Sequence, residues 1–184
     1  MRRPTDQPVI HSYPGMVAIV TARWNHRQNV MAAGWHSALS MEPPIYGIAV
    51  AKERTTHSLI LHSGVFGVQF LPAERSEWIQ RVGRTSGREL DKFSTFGIEY
   101  ENGLMIDVPI LTEAYVAYEC RLIDVRSYGD HDWFVGQITQ FYWDEERFLE
   151  NGLPDFNRLE IPLYLGRSEY AVLDATVRRK RHFW

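Results

Sequence analysis

The sequence has few residues that could perform redox or hydrolytic chemistry by themselves. Among 184 residues there is one cysteine, Cys120, which excludes an intramolecular disulfide and any CxxC metal or redox pair. Cys120 lies within a predicted strand, where we expect it to be buried. No HExxH motif is present, and His57 and His62 are five residues apart, off one helical face, so no metal site is predicted. Redox chemistry in this chain would therefore require a bound cofactor.

Charge of one sign and long apolar runs are also scarce. The formal net charge is only −3, which excludes an overall basic field that would attract nucleic acid or an anionic membrane. No stretch reaches roughly 18 apolar residues, and no apolar run of signal-peptide length follows Arg2 and Arg3. These absences predict a cytoplasmic protein that binds neither nucleic acid nor membrane. The basic run 178–182 is predicted to be a solvated end or a partner contact.

No internal repeat or Gly/Ser-rich linker divides the chain, so we predict one domain over residues 1–184, with a core of about residues 14–175 and a basic tail at 176–184. Two short helices are predicted. The first covers residues 55–63, with Thr55 as its N-cap and Gly64 as its stop, and the second covers residues 73–82. Several β-rich segments with few, short helices predict a mainly β barrel rather than a doubly wound sheet. The predicted strands are 16–22, 45–50, 65–71, 115–125 and 133–143, with a loop over 29–39 and a hairpin turn over 127–131.

Two cations stand immediately before the first predicted helix. Lys52 and Arg54 precede Thr55 and Thr56, so two positive charges, two hydroxyl groups and the free N–H groups of a helix start converge on one point. Such a point is suited to a phosphate dianion. The same residues, taken alone, also fit two solvated surface charges and a plain helix cap.

The segment before this helix is rich in small residues. Ala32, Ala33 and Gly34 have almost no side chain and would let a flat ring approach the backbone closely, while Trp35 and His36 offer a surface and hydrogen-bond donors. The large side chains of the segment fit equally well a role in the core. The order of a small-residue loop, a strand and a cationic helix start favours a single site.

Five motifs in this order resemble the flavin-reductase-like proteins, with the flavoredoxin branch as the nearest match. The segment NVMAAGWHSALSMEPP at 29–44 resembles the signature loop of that family, and KERTTHSLI at 52–60 resembles its phosphate-binding segment. SGVFGV at 63–68, SGRELDKF at 86–93, and GDH at 129–131 followed by a Val-Gly strand resemble three later segments. An ordered set of motifs from about residue 14 to residue 139 is far more specific than any one of them.

The resemblance implies a split β-barrel homodimer with FMN near the subunit interface. It assigns the isoalloxazine and ribityl chain to the loop 29–40 and the phosphate to the helix start, with Lys92 as a further cation. His131, after a Gly-Asp turn, would be the catalytic group, placing a nicotinamide or supplying a proton, although a lone histidine also fits a polar hairpin residue. The implied cofactor-binding residues are Asn29, Met31, Ala32, Ala33, Gly34, Trp35, His36, Ser37, Ser40, Lys52, Arg54, Thr55, Thr56 and Lys92.

Three functional hypotheses follow. The first is an FMN-dependent oxidoreductase that reduces its flavin with NADH or NADPH and passes electrons to free flavin, a protein or a metal complex. Because no G-x-G-x-x-G motif follows a strand, the nicotinamide would stack on the flavin instead of occupying its own Rossmann domain. The second is an FMN-binding electron carrier that docks to a redox partner protein without nicotinamide turnover. The third is a split barrel that binds another ring, such as heme.

Overall fold

The computed structural model describes residues 2–6, 10–11 and 13–182. Strands predominate, and the three α-helices and two single-turn 3₁₀ segments are short. No helix of these described residues is long and apolar enough to cross a membrane. The elements in chain order are β1 (Ala18–Trp24), β2 (Arg27–Ala33), β3 (His36–Met41), β4 (Pro44–Ala51), α1 (Thr55–Ser63), β5 (Val65–Phe70), α2 (Ser76–Arg84), α3 (Lys92–Phe96), β6 (Tyr100–Asn102), β7 (Pro109–Leu111), β8 (Val116–Tyr128), β9 (His131–Trp143), β10 (Ile161–Gly166) and β11 (Glu169–Leu173).

Seven strands form one antiparallel sheet in the order β2-β1-β5-β8-β9-β4-β3. The two outermost strands, β2 and β3, are consecutive in the chain and are joined only by Gly34 and Trp35, so the sheet curls back on itself into a barrel that stays open along this seam. The interior is filled from opposite walls by fully buried side chains such as Val20, Ile48 and Phe134. The prediction of a mainly β split barrel is confirmed.

The predicted loop over 29–39 is wrong for most of its length. Its first part lies in β2, which pairs with β1 from Arg27 to Ala33, and its second part lies in β3, which pairs with β4. Small residues weaken the local strand signal here, and the ladder with β1 supplies the hydrogen bonds that set the conformation. Asn25 and His26 form the tight turn before β2 with φ of 48° and 63°, both in the left-handed region.

Helix α1 begins one residue earlier than the sequence indicated. Arg54 is the N-cap, its side chain makes no capping hydrogen bond, and Thr55 is the first helical residue rather than the cap. Gly64 is confirmed as the stop, with φ of 69° and its N–H donating to the carbonyl of Ile60 at 2.8 Å. The helix therefore starts with an uncapped first turn.

Helix α2 packs on the outer face of β2. Val30 of β2 and Ile79 and Val82 of α2 are buried together, and Gly83 lies so close to Ala32 that an added Cβ would be 3.2 Å from its methyl group. The segment after α2 leads back across β2 to α3, whose N-cap Asp91 accepts a hydrogen bond from the N–H of Phe93. The start of α1, the outer face of β2 and the chain after α2 therefore meet at one place.

Candidate functional site

A cleft of about 320 Å³ lies at this meeting place, and we refer to it as the α1 cleft. It is bounded by the first turn of α1, the outer face of β2, the end of α2 and the segment that leads to α3. Half of the predicted cofactor residues come together here although they are distant in the chain. Those residues are Asn29, Met31, Ala32, Arg54, Thr55, Thr56 and Lys92.

Lys92 is the most deeply placed cation of the α1 cleft, with only 3% of its surface exposed. Its ammonium group donates to the carbonyl oxygens of Val30 at 2.9 Å and Val82 at 2.8 Å. No carboxylate among the residues that the structure describes lies within ion-pair distance of it. Burial, with a smaller contribution from the like charge of Arg54, lowers the pKa of Lys92 to about 8. An ammonium has three N–H donors, so one remains for an anion in the cleft.

The uncapped start of α1 adds backbone donors to the same cleft. Thr55 and Thr56 belong to the first turn, where N–H groups have no intrahelical acceptor and the helix dipole is positive. Arg54 is half-exposed at the rim, and its guanidinium group lies 3.8 Å from the carboxylate of Glu53. The α1 wall of the cleft therefore carries one cation and a helix terminus, and Lys92 of α3 adds the second cation.

The opposite wall is held in position by a buried hydrogen bond. The side-chain amide of Asn29 donates to the hydroxyl group of Thr56 at 2.8 Å, which joins β2 to α1 across the floor of the cleft. Gly87 passes directly over this amide, and a Cβ at that position would lie 2.2 Å from Oδ1 of Asn29. A residue without a side chain is required there, because the backbone approaches the floor so closely.

At one end the α1 cleft borders a second cleft of about 320 Å³, which we refer to as the tyrosine cleft. The two clefts share the lining residues Ala32 and Gly83, which lie close together between them. Three aromatic rings line this end in sequence: Tyr13 contacts Tyr164 edge-on at 5.1 Å, and Tyr164 contacts Tyr170 at 5.1 Å. These rings face polar side chains of the same cleft, among them Gln80, Arg84 and Ser168.

At its other end the α1 cleft borders a polar cleft of about 990 Å³, which we refer to as the turn cleft because the β1–β2 turn lines it. The two clefts share Gly87, Arg88 and Glu89. The tyrosine cleft, the α1 cleft and the turn cleft are thus neighbours along β2, and we refer to the three together as the groove.

Six of the predicted cofactor residues do not line this groove: Ala33, Trp35, His36, Ser37, Ser40 and Lys52. Ala33 is buried in the barrel core, and both ring nitrogens of His36 are engaged, with the hydroxyl of Tyr46 at 2.7 Å and the carbonyl of Met16 at 3.0 Å. Ser37 and Ser40 lie on the edge strand β3. The ammonium group of Lys52 contacts the carbonyl of Gly129 at 2.9 Å and Asp132 at 3.6 Å. Successive strand residues point to opposite faces, so not all members of the segment 29–40 can face one ligand.

Trp35 and His131 meet on a separate surface. Their ring centroids are 5.0 Å apart, and with Tyr128 and Trp133 they border an apolar cleft of about 550 Å³, which we refer to as the aromatic cleft. Nδ1 of His131 is 2.8 Å from the carboxylate of Asp130. Within one chain His131 does not line the groove, whereas Gly34, which is next to Trp35, does.

Sequence reasoning missed part of the groove. Ser86, Gly87 and Arg88 line the α1 cleft, and the family-like SG segment was the signal that could have assigned them a role. Tyr13, Tyr164 and Tyr170 were missed because isolated tyrosines at the two ends of the chain carry no local pattern. The bridge between Gly15 and Tyr164, with N–H···O distances of 3.2 and 2.8 Å, brings those two ends together.

Comparisons with known proteins agree with this architecture. The chain is similar to the FMN-binding protein of Thermus thermophilus, solved with bound 1-cyclohex-2-enone, at 34% identity and a TM-score of 0.87 over 98% of this chain and 100% of that one. It is similar to flavoredoxin from Methanosarcina acetivorans at 25% identity and a TM-score of 0.85, covering 97% and 95% of the two chains.

A third relative is the ferric-chelate reductase (NAD(P)H) of Archaeoglobus fulgidus, which is 34% identical over 123 residues, 66% of this chain and 71% of that protein. The family model of the flavin reductase-like domain matches residues 10–174. The resemblance inferred from the five ordered motifs is thereby confirmed, and the chain belongs to the flavin reductase-like family.

Proposed function

We propose that this chain is an FMN-dependent oxidoreductase whose groove holds the flavin by its phosphate. The observation that carries the proposal is the α1 cleft, in which the buried ammonium group of Lys92 has no carboxylate partner among the described residues. A buried cation is costly unless an anion accompanies it. The phosphate of FMN supplies that anion, and the relatives of this chain include proteins named for binding FMN.

The rest of the groove fits the remaining parts of FMN, its ribityl chain and its ring. Lys92, Arg54 and the first-turn N–H groups of α1 would hold the phosphate, and the ribityl chain would pass beside the small residues Ala32 and Gly83. The isoalloxazine ring would lie in the tyrosine cleft beside Gly34, where a Cβ would approach the hydroxyl of Tyr13 to 3.3 Å. The residues present therefore fit FMN in charge, size and polarity.

FMN, when bound, accepts hydride and releases electrons singly or in pairs. The protein supplies position and electrostatics. Burial raises the pKa of Tyr170 to about 12, so its hydroxyl stays neutral and donates to Gln80 at 3.1 Å. The packed rings of Tyr13 and Tyr164 exclude water from one side of this end of the groove.

The electron donor in this proposal is NADH or NADPH, and the acceptor is free flavin, a protein or a metal complex. The similarity to a protein named ferric-chelate reductase (NAD(P)H) supports nicotinamide turnover. The similarity to flavoredoxin supports the second candidate, an electron carrier without nicotinamide turnover. Anaerobic mixing of the FMN-loaded protein with each nicotinamide separates the two: bleaching of the flavin band within seconds supports the reductase, and failure with both supports the carrier.

The same proposal includes a homodimer in which FMN lies near the subunit interface. One feature of the single chain supports the homodimer. Trp35 and His131 form an aromatic surface outside the groove, whereas Gly34, the residue next to Trp35, lines the groove. His131 remains a predicted catalytic group that acts from this surface.

Removing the rim cation of the α1 cleft tests the phosphate site. Arg54→Ala should weaken FMN binding by a charge-assisted contact worth about 1.5–3 kcal/mol, or roughly tenfold or more in Kd. Quenching of flavin fluorescence on titration measures this. Arg126→Ala, at an exposed arginine of β8 outside the groove, is the matched control and should bind FMN as the unaltered protein does.

Unchanged affinity in Arg54→Ala would place the phosphate elsewhere. An absorption spectrum of the purified protein gives the broader test, because it distinguishes a flavin from heme. A colourless protein that does not bind added FMN would contradict the proposal as a whole.

A further inference from the structure

The tyrosine cleft carries positive charge that no acidic side chain of the cleft neutralises. Arg84, the last residue of α2, and Arg167, in the turn between β10 and β11, both line this cleft. Among the described residues that line it there is no aspartate or glutamate. A guanidinium group without a neutralising partner is suited to an anion.

The other arginine in the last turn of α2 differs from Arg84 in this respect. Arg81 pairs with Glu77, one turn earlier on the same helix, at 2.6 Å, and it does not line the tyrosine cleft. A carboxylate at this spacing offsets much of the charge of a surface arginine. Arg84 has no carboxylate within ion-pair distance in the part of the chain that the structure describes, so its charge acts on whatever approaches the cleft.

Hydrogen bonds fix the two walls from which these arginines extend. The hydroxyl of Tyr170 donates to Oε1 of Gln80 at 3.1 Å, which joins β11 to α2. Arg167 and Ser168 have φ of 52° and 68°, as in the two-residue turns that join antiparallel strands. The N–H of Ser168 donates to the hydroxyl of Tyr164 at 3.3 Å, which holds the turn beside the cleft.

The two charges lie on the solvent side of the cleft. Arg84 and Arg167 are exposed, whereas Tyr164 and Tyr170 are only partly exposed. The arginines therefore stand at the mouth of the end of the groove in which the flavin ring would lie. Cations beside such an opening attract small anions from solution and raise the rate at which they arrive.

We propose that the electron acceptor of this protein is a small, negatively charged molecule or complex, which Arg84 and Arg167 attract to the mouth of the tyrosine cleft. The inference rests on the proposed function, with the flavin ring in this cleft. With ferricyanide as the acceptor, one fully reduced, anionic FMN gives one electron to each of two ferricyanide ions. The products are oxidised FMN, two ferrocyanide ions and one proton released to solvent.

Two one-electron oxidants of opposite charge test the proposal. The FMN-loaded protein is reduced photochemically under nitrogen, without nicotinamide, and mixed rapidly with the trianion ferricyanide or the trication hexaammineruthenium(III). In the double variant Arg84→Ala/Arg167→Ala, oxidation by ferricyanide should be about tenfold slower and oxidation by hexaammineruthenium(III) should be faster. Both differences should shrink as salt is added, because the two arginines are exposed.

Arg81→Ala is the matched control, since it removes an arginine from the same turn of α2 outside the cleft. It should change both rates by less than about twofold, because its exposed ion pair with Glu77 contributes little. Anion binding is measured separately by calorimetry of the oxidised, FMN-loaded protein with hexacyanocobaltate(III), a redox-inert trianion of the same shape as ferricyanide. We expect the double variant to bind it about tenfold more weakly.

The outcomes separate this inference from the proposed function. Rates that are unchanged, or that change in the same direction with both oxidants, would overturn the inference, because an altered flavin potential or fold acts without regard to the charge of the acceptor. Slower reduction by NADH or NADPH with unchanged oxidation by ferricyanide would assign the arginines to the phosphates of the donor and would also overturn it. Each of these results leaves the proposed function intact, whereas a protein that binds no FMN would contradict both.

Discussion

At the scale of single residues, Lys92 links proton binding to ligand binding. Its folded-state pKa is about 8, against an ordinary value of 10.5, because burial disfavours the ammonium form. Between these two pH values the unfolded chain binds more protons at this position than the folded chain does. The contribution of Lys92 to the free energy of unfolding therefore rises with pH in that window and is lost as pH falls through about 8.

A phosphate in the α1 cleft should raise the pKa of Lys92 again, because its negative charge favours the ammonium form of the lysine. We predict that the FMN dissociation constant increases as pH rises above about 8, with a slope approaching tenfold per pH unit, since binding then requires uptake of one proton. Fluorescence titrations from about pH 7 to pH 9.5 measure the slope. Lys92→Met, which keeps the length of the side chain without the charge, should bind FMN more weakly and remove the slope. A pH profile identical in the two proteins would exclude Lys92 from the site.

At the scale of secondary-structure elements, helix α1 is tied to the β8–β9 hairpin by one carboxylate. Asp132 at the start of β9 accepts a hydrogen bond from Nε2 of His57 on α1 at 2.7 Å, and the ammonium group of Lys52 lies 3.6 Å from its other oxygen. The ring of His57 also packs edge-on against Phe134 at 5.0 Å. The hairpin thus orients the helix whose first turn faces the groove.

Neutralising this carboxylate should loosen the helix. We predict that Asp132→Asn lowers the free energy of unfolding by about 1–2 kcal/mol in urea denaturation at neutral pH. The hydrogen bond from His57 is the main cause that lowers the pKa of Asp132 below its ordinary 3.8. The carboxylate therefore contributes to the free energy of unfolding at pH values above 3.8, and this contribution is lost as pH falls through the lower folded-state pKa. The difference between the two proteins should therefore disappear in acid.

Asp124→Asn is the matched control for this element. Asp124 pairs with Arg126 on the same hairpin, but both side chains are exposed, so the change should cost less than about 0.5 kcal/mol. Equal effects of the two substitutions would show that the contact with α1 contributes nothing specific.

At the scale of the whole molecule, β3 is an edge strand with apolar side chains turned to solvent. Met41 is 82% exposed and Leu39 is 47% exposed, and β3 pairs only with β4 on its inner side. Exposed apolar edge strands are ready partners for a second chain. The other edge strand of the sheet, β2, is covered by α2 instead.

We predict that the protein is a homodimer of about 43 kDa, twice the 21.4 kDa of one chain, in light scattering after size-exclusion chromatography. Met41→Lys should shift it toward the monomer, because a charge on β3 opposes burial. Leu104→Lys, at a similarly exposed residue of the loop before β7, should leave the dimer intact. A monomeric unaltered chain would refute the dimer, and a dimer unaffected by Met41→Lys would place the interface away from β3.

Much of this protein could be predicted because the relevant signals are local. Gly64 ends α1 through its own left-handed backbone, and the long alternating runs of β8 and β9 with a Gly-Asp turn specify a hairpin without help from the rest of the chain. Cys120 is buried as expected, and burial raises the pKa of its thiol to about 12. The cationic start of α1 was likewise visible, since Arg54 and the two threonines are neighbours.

The direction in which side chains point was decided by tertiary structure alone. Lys52 and Arg54 are two residues apart, yet one faces the β8–β9 hairpin and the other the α1 cleft, because Ala51 ends a strand and Thr55 starts a helix between different neighbours. Pairing of β2 with β1 buried Ala33 in the core and turned Ala32 to the groove. The sequence by itself determined the family, the barrel and the cationic start of α1 at which we propose the phosphate binds. Only the packing of α2 and the two chain ends on β2 assembled the groove, because those contacts join residues too far apart in the chain to leave a pattern in it.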